Sequence, residues 1–268
     1  MRKHTFAVCA YGDSPYLEAC VRSLKRQSLP TKIILCTSTP SRYIRAVAEV
    51  YSLPLFVREG PSNIRDDWNF AYEKAGDGLV TIAHQDDCYH RDYARTVQEC
   101  WKNYPDTTVF STDCVIIKGN TIQKQGLIHL VKSLLRLPLR LRRLADRTFV
   151  KRAALCLGNP VICPSCTYDK DALGMPLFDS PYSFALDWDT MWQLATRPGR
   201  FICEERPLLR YRIHDGATTK ACIENRSRAA DETAMYGKIW PKPVVRLLMF
   251  FYKGAYAAYG GEKKKSGA

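Results

Sequence analysis

The run Val80-Thr81-Ile82-Ala83-His84-Gln85-Asp86-Asp87 constrains this chain more than any other stretch. Its apolar, β-branched half reads as a strand buried on both faces, and it ends abruptly in two adjacent carboxylates. In an open α/β sheet the carboxyl end of such a strand opens on the ligand crevice. Two carboxylates delivered there repel one another in apolar surroundings unless something positive lies between them, a role that suits a hard divalent cation. An ion held by one or two carboxylates keeps positions free for diphosphate oxygens. Taken alone, the pair is equally consistent with capping of the next helix, because Asp is a common N-cap.

Strand-like and helix-like stretches alternate around this run. Thr5 to Ala10 reads as a first strand, and Ser14 followed by Pro15 predicts a helix start. Leu17, Cys20, Val21 and Leu24 then recur at helical spacing. A second strand is expected at Lys32 to Cys36, a helix from Arg42 to Tyr51, a third strand at Leu55 to Arg58 and a helix from Asp66 to Ala75. Four such alternations predict an α/β fold with a parallel, doubly covered sheet. Neither Gly-x-Gly-x-x-Gly nor the phosphate-loop signature occurs, which argues against a dinucleotide fold and a P-loop ATPase. Beyond Asp87 the pattern predicts a helix from Arg91 to Tyr104, a strand at Thr108 to Asp113, and a hairpin pairing Val115 to Lys118 with Thr121-Ile122 around Gly119-Asn120.

With 268 residues and 46% hydrophobic content, the chain can build one large α/β domain, or one with an appendage. Eleven cysteines follow no repeated spacing and no apolar signal follows Met1-Arg2-Lys3, so reduced thiols in a cytoplasmic protein are expected. Cys163-Pro164-Ser165-Cys166 is a lone CxxC without a partner pair, which is too little for a zinc site. The formal net charge of +13 concentrates in Lys132 to Arg152 and in the last thirty or so residues, a surface for an anionic partner. No apolar run is long enough to span a bilayer, so any membrane contact is expected to be peripheral.

From Ile128 to Arg147, Leu130, Leu134, Leu137, Leu141 and Leu144 repeat at helical spacing among Lys132, Arg136, Arg140, Arg142, Arg143 and Arg147. Pro138 interrupts any single helix there. Two readings stay open: a segment lying on an anionic membrane, or a cleft-covering helix with its leucines inward and its basic face solvated. The stretch Ala221 to Ile239 is helical in pattern, and the aromatic, cationic tail runs to Lys263-Lys264-Lys265. A membrane interface, its own domain or a second subunit could receive that tail.

The strand ending in Tyr11-Gly12, the helical segment Tyr16-Leu17-Glu18-Ala19-Cys20-Val21-Arg22-Ser23-Leu24-Lys25-Arg26-Gln27-Ser28, Trp68-Asn69-Phe70-Ala71 and Asp86-Asp87 together resemble the nucleotide-sugar half of a bacterial-type family 2 glycosyltransferase. The resemblance covers about residues 4 to 220. It implies the GT-A fold: a Rossmann-like, mostly parallel central sheet flanked by helices. A nucleotide-sugar half at 1–118 would precede an acceptor half at 119–220 with a basic insertion at about 128–147, and a helical extension at 221–268 would follow. It further implies that Ala10, Tyr11 and Asp13 after the first strand, Thr37 after the second, and His84 at the tip of the fourth lie against the donor. Asp86 would face its ribose, and Asp87 would ligate Mg2+ or Mn2+. His84 stands where many members carry the first Asp of the motif, and Thr37-Ser38 where many carry an Asp-Gly-Ser-like segment. Asp66, Asp67 or Asn69 would then supply polar contacts to the nucleotide.

Phe184-Ala185-Leu186-Asp187-Trp188-Asp189 resembles the helix start that carries the family's catalytic base, with Leu186 in place of the usual Glu. Asp187 is therefore the candidate base, and Asp189 a second. A helix N-terminus favours an ionised carboxylate, although an Asp there is also an ordinary cap. Leu208 to Thr219 resembles the family's segment ending in His, which makes His214 a metal ligand opposite Asp87. Period two places Arg210, Arg212 and His214 on one strand face, suited to a diphosphate.

The resemblance implies a metal-dependent, inverting transfer from a nucleotide diphosphate-sugar, UDP-sugar favoured, to a saccharide or lipid-linked acceptor. Cell-surface polysaccharide or glycolipid synthesis at the inner face of the plasma membrane is the setting it suggests. A sugar-phosphate nucleotidyltransferase, which releases pyrophosphate, is the alternative enzyme. A non-catalytic basic module is the other alternative, though nothing resembles an RNA-binding signature and no nucleic-acid partner is expected. Whether the chain forms a homodimer is not legible.

Overall fold

A computed structural model describes residues 1–119, 121–123, 126–214 and 227–250. Asn120, the stretch holding Thr218 and Thr219, and the Lys263 to Lys265 tail lie outside the described residues. The first half alternates as its periodicity predicts: β1 (His4–Ala10), α1 (Leu17–Lys25), β2 (Lys32–Thr37), α2 (Arg42–Val50), β3 (Leu55–Val57), α3 (Ile64–Lys74) and β4 (Leu79–His84). There follow β5 (Cys88–Tyr89), α4 (Tyr93–Asn103), β6 (Thr107–Lys118), β7 (Thr121–Ile122), α5 (Leu127–Leu135), α6 (Leu137–Arg140), α7 (Thr148–Leu155), β8 (Thr167–Asp169), α8 (Lys170–Leu173), α9 (Leu186–Leu194) and β9 (Arg200–Ile213). Two closing helices occupy Ser227–Ile239 and 242–250.

The strands form one sheet in the order β3-β2-β1-β4-β8-β6-β9-β5, with β7 paired to β6. β1, β2, β3 and β4 are mutually parallel, β8 is inserted antiparallel between β4 and β6, and β6 and β9 run parallel. β2 and β4 flank β1 on opposite sides, so the chain leaves β1 in opposite directions across the sheet. The crevice this opens at the carboxyl ends of β1 and β4 is where such sheets bind ligands, and Tyr11 to Asp13 and Gln85 to Asp87 sit there.

Side-chain alternation along β1 feeds two apolar cores. Phe6 and Val8 pack on Leu17, Val21 and Leu24 of α1 and Ile44 and Val47 of α2. Ala7, with Ile34 and Ile82, faces the opposite core, which includes Tyr72, Trp188 and Tyr236. Each fully buried side chain of this size contributes about 1.5–3 kcal/mol, so packing on both faces fixes the strands that carry the tips.

The differences from expectation have local causes. α1 begins at Leu17 with Tyr16 as its cap residue and no side-chain cap bond; the Ser14 hydroxyl donates to Asp86 and accepts the Tyr16 N–H. The strand and hairpin arm expected at 108–113 and 115–118 are one strand, β6, bulged where Thr112, Asp113 and Cys114 shift register against β9. Pro138 does end α5, and it lies in the first turn of α6 where its missing N–H is harmless. The closing helices are docked on the domain rather than apart from it: Met235, Tyr236, Val245 and Met249 join the core beside Trp188. All cysteines among the described residues are free, and burial pushes the thiols of Cys163 and Cys166 up.

Candidate active site

The crevice is preformed by its own loops. The Gln85 side-chain amide accepts the Tyr11 N–H at 3.0 Å and donates to the Tyr11 carbonyl at 2.9 Å, tying the tip of β4 to the end of β1. The Gly12 N–H donates to the Thr39 hydroxyl at 2.8 Å, which adds the β2 loop. Ala10 is buried while Tyr11 and Asp13 are exposed at this rim. Thr37 is buried, its hydroxyl accepting the Thr39 N–H.

The two carboxylates at the tip part company. Asp86 Oδ1 accepts the Ser14 hydroxyl at 2.9 Å, and its Oδ2 lies 3.2 Å from His214 Nε2. Asp87 turns under β9, where its Oδ1 accepts the Arg212 N–H at 2.9 Å. It is 2% exposed, and burial pushes its carboxyl up to about 8 against the pull of that N–H. His214 therefore meets Asp86, not Asp87 as expected, because Asp87, in the turn after β4, is held by the Arg212 N–H. The His214 Nε2 is buried and forms no well-aligned hydrogen bond, and the ring packs 5.0 Å from Tyr16.

Arg212 departs from the expected diphosphate contact. Its Nε donates to the Asp86 carbonyl at 2.9 Å and its Nη1 to the Gly119 carbonyl at 3.2 Å, with the guanidinium 4.3 Å from the Tyr16 ring centre. Its Nε and one Nη1 donor are thus spent on the scaffold. His84 closes β4 with its ring stacked 5.0 Å from Trp68, and burial pulls its imidazole down to about 4, so it is neutral near pH 7. Its Nε2 is buried without a partner.

Two residues expected at the nucleotide serve the frame. Asp66 closes a cap with Asn63, accepting the Asn63 amide at 2.7 Å while its own N–H donates back at 2.9 Å. Asn69 holds the loop at Leu177 and Phe178, accepting both N–H groups and donating to the Phe178 carbonyl. Asp67 is the better-placed acid: it gathers Arg58, Ser38 and Ser62 from three segments around the end of β2.

Asp187 lies in the first turn of α9. Its Oδ2 accepts the Asn159 amide at 3.0 Å and its Oδ1 the Trp188 N–H at 2.7 Å. Burial pushes its carboxyl above the usual range, and the Lys132 ammonium of α5 is the strongest opposing influence. Ala185 provides no side-chain cap; Asp231 of the first closing helix reaches over, accepting the Phe184 N–H at 2.6 Å and the Ala185 N–H at 3.3 Å. Asp189 is buried against Lys238 at 2.9 Å, a structural tie rather than a second base. Burial is the main influence that pushes the Cys163 thiol up. Gln85, Asn159, Lys132 and Asp231 were not singled out for this site by the sequence.

The fold is that of the GT-A nucleotide-sugar enzymes. A family model, glycosyl transferase family 2, matches residues 5–173. The chain belongs to that family. Among solved structures it is similar to the mannosyltransferase PcManGT of Pyrobaculum calidifontis in complex with GDP-Man and Mn2+, at 14% identity and a TM-score of 0.64, covering 98% of this chain and 76% of that one. It is also similar to residues 1–349 of TarS from S. aureus in complex with UDP-GlcNAc (13% identity, TM-score 0.58, 80% of this chain). Glucosyl-3-phosphoglycerate synthase of Mycobacterium tuberculosis with Mn2+ and UDP-Glc gives 11% identity and a TM-score of 0.58, covering 90% of this chain and 81% of that one. The chain spans 60% of the TarS chain's length. No curated protein matches it.

Proposed function

We propose that this chain transfers a sugar from a nucleoside diphosphate-sugar, with UDP-sugar favoured, to an acceptor hydroxyl, inverting the anomeric centre. The observation that supports the reading is the Asp86–His214 pair, with Asp87 beside it, at the switch point of the sheet; Asp187, at the start of α9, is assigned to the same crevice by the family resemblance. Asp187 is the base. Its raised carboxyl affinity for protons suits a group that must take one near neutral pH. As the acceptor oxygen bonds to the anomeric carbon, the bond from that carbon to the diphosphate breaks and the acceptor proton passes to Asp187. The departing nucleoside diphosphate takes the electron pair. Asn159 and the Trp188 N–H hold the carboxylate in place.

The family implies a divalent cation, and the residues present fit one. A carboxylate oxygen of Asp86 faces an imidazole nitrogen of His214 that lacks a hydrogen-bond partner, a donor pair suited to Mn2+ or Mg2+. Two protein ligands would leave coordination positions for phosphate oxygens and water. The ion would neutralise charge on the leaving diphosphate. Asp87 acts by anchoring β9 rather than as the counterpart of His214. The neutral His84 ring on Trp68, and Asp67 with Ser38, border the donor.

The test is Asp187→Asn. Donor binding, read as a ligand-induced rise in melting temperature, is retained, while transfer falls by about 10²–10⁴. Near-normal turnover removes Asp187 as base; release of pyrophosphate instead of nucleoside diphosphate overturns the transfer reading.

A further inference from the structure

The α5–α6 segment is built inside out. His129 Nε2 and the Arg136 guanidinium both point inward and each meets the Asp113 carboxylate at 2.9 Å. Burial pulls the Lys132 ammonium down, with the charge of Asp187 opposing it. The leucines face the other way: Leu130 is 55% exposed, Leu134 54% and Leu141 58%, with Leu137 and Leu144 beside them and Phe149 of α7 at 68%. A helix that covers a water-soluble domain places its apolar stripe on the core and its charges outside. Here the arrangement is held in place, since turning the leucines inward would strip Asp113 of its Arg136 ion pair and its His129 contact. Arg140 is fixed in the same pose by Glu205 at 2.5 Å.

We infer that this face docks on an anionic lipid bilayer, with the leucines and Phe149 entering the interface and Arg140, Arg143 and Arg147 at the level of the lipid phosphates. Between residues 127 and 150, with Arg136 inward and Lys132 buried, Arg140, Arg142, Arg143 and Arg147 stand against one acid, Asp146, and exposed leucines ringed by arginine are the composition of interfacial helices. The charge selects the occupant. A symmetric dimer through this face would press the same arginine-rich surface against itself, which repels, whereas an anionic membrane attracts it. Pro138 divides the segment into two short helices, and no helix among the described residues is long and apolar enough to cross a membrane. The docking is therefore along the surface, and it stands independently of the transferase reading.

The full chain is tested by flotation with vesicles of phosphatidylcholine alone or mixed with phosphatidylglycerol. Binding to the anionic vesicles is expected, at least about tenfold weaker on the neutral ones and weakened by salt. The double variant Leu134→Glu, Leu141→Glu loses at least about tenfold in binding with an unchanged melting temperature. Should that variant fail to fold, Phe149→Ser, at an exposed position, reads the same loss. Absence of binding to both vesicles overturns the inference, as does a leucine or Phe149 variant that folds and binds like the parent. A dimer in sedimentation equilibrium that the same substitutions dissociate assigns the face to a second copy and also overturns it.

Discussion

Replacing Asp231 by alanine tests whether the closing helix is part of the catalytic frame. Asp231 Oδ2 is the acceptor for the Phe184 and Ala185 N–H groups, and α9 has no side-chain cap of its own. Loss of a capping acceptor costs about 0.5–2 kcal/mol. The carboxylate's charge at the positive end of the helix adds about 0.3–1 kcal/mol. Water reaches the half-buried site and replaces part of both, so a net loss of about 1–2 kcal/mol is expected. In a chain of this size that lowers the melting temperature by roughly 2–8 °C. Asp187 sits two residues beyond the freed backbone, and a displacement of about 1 Å in a reacting group can cost on the order of 10² in rate. Transfer at saturating donor should therefore fall about tenfold or more, with donor binding unchanged. Asp231→Asn keeps an acceptor oxygen and recovers most of both. Calorimetry and initial rates read the outcome; an alanine variant with parental melting and parental turnover would refute the coupling.

Three further outcomes are expected. His4 is buried with its imidazole pulled down from 6.5 to about 3 by burial. As pH falls below about 6.5 the unfolded chain takes up a proton that the folded chain refuses, and stability drops by about 2 kcal/mol at about pH 5. His4→Gln, which can still bond the Thr81 hydroxyl, removes that share of the decline in denaturant titrations; an identical decline means His4 titrates normally in the fold. At Gly199, φ is +106° and an added Cβ would lie 2.2 Å from Thr108 Cγ2. Gly199→Ala is expected to cost at least about 2 kcal/mol, with partial recovery on adding Thr108→Ser, and unchanged unfolding would contradict the close approach. Finally, Mn2+ should raise the melting temperature of the parent but not of an Asp86→Asn, His214→Ala double variant. An equal rise in both would place the ion elsewhere.

Much of the frame is legible because periodicity is a local property: the alternation through β4, the α1 face of Leu17, Cys20, Val21 and Leu24, and the interruption at Pro138 all follow from short-range spacing. The tip at Asp86 and Asp87 is legible for the same reason. What each carboxylate faces is not, since that depends on β9, more than a hundred residues away in sequence. The same limit hides Asp231, whose partners lie 47 and 46 residues back, and Asn159, which carries no motif of its own. Spacing places five leucines on one side of the segment 130–144, but it is silent on which side meets the protein. That is decided by Asp113, buried at the bulge of β6 and demanding cations from whatever covers it. Asp66 and Asn69 look like ligand-binding residues because capping and loop-bracing draw on the same polar side chains.

Arg212 has a consequence for how inactive variants are interpreted. Its Nε, its Nη1 and its flat face fasten three separate stretches of chain: the backbone at Asp86, the backbone at Gly119 and the ring of Tyr16. It works as a keystone, so an Arg212→Ala enzyme would go silent through slackening of the vault without ever having gripped a phosphate. Lysine carries the same charge but lacks the planar fork. Arg212→Lys thus separates the two explanations: a dead but charged variant marks architecture, and a working one marks attraction to the donor.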